Sequence, residues 1–100
     1  MDTVFPLDTE LKIVREDGYI KCPGIVDDTR GCAAVLSTIR ALNAAGIQTK
    51  GDIQFVGTVQ EEGTGALKGM QYYVQHHPEL EASISVDGPG YQEIVYEATG

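Results

Sequence analysis

One hundred residues, 42% of them hydrophobic, suit one small domain or a part of a larger one and argue against a disordered chain. Fifteen Asp and Glu against seven Lys and Arg give a formal charge of -8, which argues against nucleic acid as a partner, because phosphate contacts need basic patches. Two cysteines without a CxxC spacing, no basic and apolar leader and no apolar run of spanning length argue against a disulfide framework and a membrane partner, and make the cytoplasm the expected compartment.

Met1 to Leu7 reads as a loop or strand exit carrying Asp2 and Pro6. Short apolar runs on either side of Glu16-Asp17-Gly18 predict a small hairpin. Pro23-Gly24 then breaks the chain before Ile25-Val26-Asp27-Asp28-Thr29. From about Arg30 to Ala45 the pattern is helical: Val35, Ile39 and Leu42 recur at i, i+4 and i+7, with Asp28 or Thr29 as the expected cap and Gly46 as the stop.

Ile53, Phe55 and Val59, interleaved with Gln54 and Thr58, predict a strand from Asp52 that ends at Glu61-Glu62. A second helix is expected from about Ala66 to His76, closed by Pro78. Ala82 to Val86 and Tyr91 to Tyr96 read as two further strands, with Asp87-Gly88-Pro89-Gly90 between them. Helix and strand alternating in this order predict an α/β fold with a parallel or mixed sheet flanked by helices.

The acids are placed in a telling way. Asp27-Asp28 sits where a loop enters a helix, Glu61-Glu62 where a strand turns into a helix, and Asp87 at the end of a strand. In a right-handed βαβ arrangement these corners share one edge of the sheet, the edge at which open α/β sheets place their sites. Hard oxygen ligands from several corners, with no cysteine, suit Zn, Mn, Co or Mg. Two metals about 3.5–4 Å apart need a bridging carboxylate and others on each side. A further carboxylate must take a proton from the attacking water. Glu61 and Glu62 can divide those tasks, since neighbouring side chains point in different directions.

Met1-Asp2-Thr3-Val4, Gly24-Ile25-Val26-Asp27-Asp28, Glu61-Glu62-Gly63-Thr64-Gly65 and Val86-Asp87-Gly88 occur in that order. Together they resemble the catalytic domain of the M20 family of dinuclear zinc peptidases, which includes peptidase T-like aminopeptidases, glutamate carboxypeptidases, dipeptidases and related amidohydrolases. The resemblance spans almost the whole chain. It implies that Asp27 bridges two Zn2+ ions (Co2+ or Mn2+ being alternatives), in a family where the peptide bond after this residue is usually cis. It implies that Glu62 and Asp87 each ligate one metal and that Glu61 is the general base. Asp2 matches the acid of a His-x-Asp motif and would orient the histidine two positions earlier.

The pattern departs from the family in several places. The histidine expected before Met1, a second histidine ligand and the inserted dimerisation domain lie outside residues 1–100, and Thr29 stands where the family often has Lys or Arg. The resemblance therefore implies a partial metallopeptidase catalytic domain over residues 1–100. Its substrate would be a small peptide or an acylated amino acid, and its full-length form a homodimer. A truncated, non-catalytic remnant with weak metal binding is one alternative, and a phosphate- or nucleotide-binding α/β module is the other.

Three features carry less. His76-His77 reads as a helix end, where histidines favour the negative pole of the dipole. Gly63-Thr64-Gly65 to Gly69 is not spaced as a dinucleotide loop, and two glutamates before it would repel phosphate. Cys22 and Cys32 read as plain small residues.

Overall fold

An Asp-Gly pair tolerates two successive residues at positive φ, which is what a two-residue hairpin turn demands. The computed structural model, which describes residues 3–88, 90, 92 and 94–96, has that turn at Asp17 (φ 50°) and Gly18 (φ 81°). It joins β1 (Val14–Glu16) to β2 (Tyr19–Lys21), which pair antiparallel with Val14 opposite Lys21, Arg15 opposite Ile20 and Glu16 opposite Tyr19. Lys21 Nζ donates to Glu16 Oε2 at 2.7 Å across the exposed pair.

The first helix, α1, spans Gly31–Ala45. Its end follows the sequence closely. Gly46 takes the left-handed conformation (φ 61°, ψ 29°), and its N–H donates to the Asn43 carbonyl while the Ile47 N–H donates to Leu42. This double closure satisfies carbonyls that the helix end would leave bare. Val35, Ile39 and Leu42 form its half-buried stripe. Its start corrects the expectation: neither Asp28 nor Thr29 caps it, Arg30 occupies the cap position, and no side chain bonds the first amides. The reason is local. The residues before Gly31 leave the helical path, with Asp27 at φ -120°, ψ 100° and Asp28 at φ -127°, ψ 27°.

The second helix, α2, spans Lys68–His76, two residues later than the sequence pattern suggests. Ala66 (φ 50°) and Leu67 (φ 60°) are both left-handed and postpone its start. It lies against the segment before it: Gly69 meets Val59, and Tyr73 donates its hydroxyl to the Gln54 side chain.

Among the described residues the sheet is the two-stranded hairpin, and the parallel or mixed sheet expected from residues 52–59 and 82–86 forms no ladder. Alternation fits a segment to a sheet, but a ladder also needs a neighbour in register. The last expected strand falls partly outside the described residues, and 94–96 carry no ladder. No large apolar side chain of the described residues is buried, and Ile84 is 91% exposed. The chain exposes 8954 Å², against about 5,500 Å² for a compact folded chain of this mass. Its radius of gyration is 15.8 Å, against about 13 Å for a compact domain of this length. The elements are therefore ordered by their turns and loops more than by a common core.

Candidate active site

The Asp27 corner is built from glycines at both ends. Gly24 is buried and left-handed (φ 71°), and an added Cβ would lie 2.9 Å from the Thr3 methyl, so the start of the described chain adjoins this turn. The turn Ile25–Arg30 is closed by the Thr29 N–H on the Gly24 carbonyl at 3.1 Å. Within it the Asp27–Asp28 peptide bond is cis, as the resemblance implies.

The Asp87 corner meets this turn along a short seam. Gly31 is buried, and a Cβ there would overlap Asp28 Oδ1 and stand 2.9 Å from the Val86 carbonyl oxygen. One residue earlier, Arg30 Nη2 donates to the carbonyls of Gly88 (2.8 Å) and Gly90 (2.9 Å). Between these contacts sits Asp87, whose Oδ1 accepts the Gly88 N–H at 2.6 Å. The carboxyl groups of Asp27 and Asp87 lie close enough to act on each other. Loss of water around Asp27 is the main reason its carboxyl is held above the ordinary 3.8, and the charges of Asp87 and Asp28 add to it.

A pH dependence follows. The folded chain holds the Asp27 proton more tightly than the unfolded chain does. The stability from this residue is therefore full below the ordinary value of 3.8 and is lost as pH rises through the raised one. Asp27→Asn keeps a neutral donor toward Asp87 and removes one charge. In the metal-free chain it should flatten this loss and raise the melting temperature at neutral pH relative to wild type. Melting curves from about pH 3 to about pH 8 check it; parallel curves for the two proteins would count against it.

Asp28 is turned toward the helix. Its Oδ1 is buried without a hydrogen-bond partner, and its Oδ2 accepts a weak bond from Cys32 Sγ at 3.7 Å. Burial, and then the Asp28 carboxylate, push the Cys32 thiol up, away from a reactive thiolate.

The acid pair Glu61-Glu62 sits at the tip of a loop closed by nested backbone bonds. The N–H groups of Gly69, Lys68, Leu67 and Gly65 donate to the carbonyls of Val59, Gln60, Glu61 and Glu62 at 3.1, 3.2, 3.4 and 2.8 Å. Glycine is required at two points: a Cβ on Gly65 would stand 2.5 Å from the Gln60 oxygen, and one on Gly69 2.5 Å from the Val59 oxygen. Gln60 (φ 58°), Ala66 and Leu67 all take the left-handed conformation that side chains disfavour. Both glutamates are half-buried. These amides are bonded inside the loop and are not available to a phosphate.

The structure thus brings Asp27 and Asp87 together. It does not gather Glu62 with them: among the described residues no three His, Cys, Asp or Glu side chains form a group able to hold a metal ion. Asp2 lies outside the described residues. His76 and His77 are engaged locally. The His76 ring stacks on Tyr72 at 4.0 Å with Nδ1 2.7 Å from the Tyr72 carbonyl, and His77 Nδ1 lies 2.8 Å from Glu79 Oε1. Sequence reasoning missed the part of Arg30, since nothing local points it at a loop 58 residues away. The small Gly31, Cys32 and Ala33 at the start of α1 are suited to close packing, and Gly31 does lie against the Val86 carbonyl.

The family model described as Peptidase family M20/M25/M40 matches residues 1–98. The chain belongs to this family. No curated protein and no solved structure matches it. Membership in the M20 family indicates, at the level of the family, a metal-dependent hydrolase of peptidase type acting on peptide substrates.

Proposed function

We propose that this chain is part of the catalytic domain of an exopeptidase or amidohydrolase that cleaves a peptide or amide bond of a small substrate with a pair of zinc ions. The carrying observation is the match to the M20 family from residue 1 to residue 98, in a chain whose Asp27 turn and Asp87 corner are joined through Arg30 and Gly31. Asp27 would hold both ions, Asp87 one and Glu62 the other. The bound ions would activate the attacking water and offset charge building on the carbonyl oxygen. Glu61 would accept a proton from that water and pass it to the leaving amine. The loop that carries it is closed by its own backbone bonds, which supports this role. Asp2 would support the site from the start of the chain. The absence of buried large apolar side chains among the described residues supports reading them as a portion of a catalytic domain.

The test is ligand-dependent stability. Zn2+ or Co2+ at about 100 times its dissociation constant should stabilise the chain by about 2.7 kcal/mol. Asp27→Ala and Asp87→Ala should each remove that response. ATP and inorganic phosphate should leave the melting curve unchanged. Stabilisation by nucleotide and not by metal would replace this reading with the phosphate-binding one. Metal binding without hydrolysis of dipeptides or acylated amino acids would mark these residues as a non-catalytic portion.

A further inference from the structure

We infer that Arg30 is a positioning residue that fastens the Asp87 corner to the Asp27 turn, and so sets the separation of the two carboxylates. The metal part of this inference rests on the proposed function; the fastening itself does not. Segment 87–90 reads Asp-Gly-Pro-Gly. Gly88 is left-handed (φ 75°), and an added Cβ there would meet nothing within 4 Å. Glycines lose the most freedom on ordering and bring no side chain with which to fix themselves. A ligand carried at the head of such a segment needs a tether from elsewhere. The structure supplies it from one atom, Arg30 Nη2, which reaches the carbonyls on both sides of Pro89, at Gly88 and Gly90. On the other side of Asp87, the Val86 carbonyl sits against Gly31.

Arg30 does not serve the helix it precedes. It occupies the cap position without a capping bond, and a positive charge at a helix start opposes the dipole. Its guanidinium donates to the neutral carbonyls of Gly88 and Gly90. Lysine offers one ammonium on a flexible stem in place of a planar fork, so it should recover the tether only in part.

The experiment compares wild type, Arg30→Gln and Arg30→Lys in two ways. In the metal-free chain, amide hydrogen exchange is followed over residues 86–90 and over α1. Arg30→Gln should speed exchange over 86–90 while α1 keeps its wild-type protection, and Arg30→Lys should fall between. In parallel, Co2+ titrations followed by visible absorption should show Arg30→Gln weakened by about tenfold, with partial recovery in Arg30→Lys. Unchanged exchange over 86–90 in Arg30→Gln overturns the inference, as does equal acceleration over 86–90 and α1, which would mark a general structural role. If wild type takes up no Co2+, the proposed metal function fails and the exchange comparison alone decides the tether.

Discussion

Gly31→Ala is expected to open the seam between α1 and the Asp87 corner. The new Cβ would overlap Asp28 Oδ1 and stand 2.9 Å from the Val86 carbonyl. The Asp28 carboxyl can rotate away at the loss of its weak Cys32 bond alone, since its Oδ1 has no hydrogen bond. The Val86 carbonyl is backbone and must move, and Asp87 is the next residue in the chain. Overpacking of this kind costs about 1–3 kcal/mol, and the displaced Asp87 should lower Co2+ affinity by about tenfold or more. Gly51→Ala is the matched control, because a Cβ there meets nothing and the position has no positive φ. Chemical denaturation and Co2+ titration of both variants check the result. Equal behaviour at positions 31 and 51 would show that the seam does not hold the site.

Glu61→Gln should lower hydrolysis by about 10²–10⁴-fold in the metal-loaded protein, the usual worth of a positioned general base. Metal affinity should hardly change. Glu62→Gln should do the reverse, weakening metal binding first and activity as a consequence. Both substitutions keep side-chain shape, and the loop that carries them is fixed through backbone carbonyls, at 3.4 Å from Glu61 to Leu67 and 2.8 Å from Glu62 to Gly65, so neither should disturb its closure. Turnover of dipeptides and acylated amino acids, measured beside Co2+ affinity, separates the two residues. Equal loss of metal in both variants would make Glu61 a ligand too and remove the division of roles.

What could be read in the residues depended on how local its cause was. Asp17-Gly18 encodes a turn within two positions, and the hairpin forms there. Gly46 encodes a helix stop by its freedom at positive φ, and α1 ends there. The left-handed Ala66 and Leu67 were hidden, because neither side chain favours that conformation and only loop closure imposes it. The cap of α1 misled for a related reason: Asp28 has the right chemistry, but the turn aims its carboxyl at Gly31 and Cys32. The alternation of Ile53, Phe55 and Val59 describes a segment suited to a sheet and says nothing of the strand beside it. Asp27 and Asp87 were expected to converge on one sheet edge. They do meet, but through Arg30, Gly31 and backbone carbonyls, with no ladder between them among the described residues.

The loop that carries Glu61 and Glu62 closes entirely within residues 59–69, whereas the Asp27–Asp87 contact joins points sixty residues apart. Chain closure over the longer span costs about 1.6 kcal/mol more in entropy than closure over about ten residues. Contacts of short sequence separation also form sooner. The site should therefore assemble in two stages, with the mount for the glutamates formed early and the aspartate pair brought together late. On the proposed two-ion reading, a cation arriving after the first stage would meet the glutamates before the aspartates.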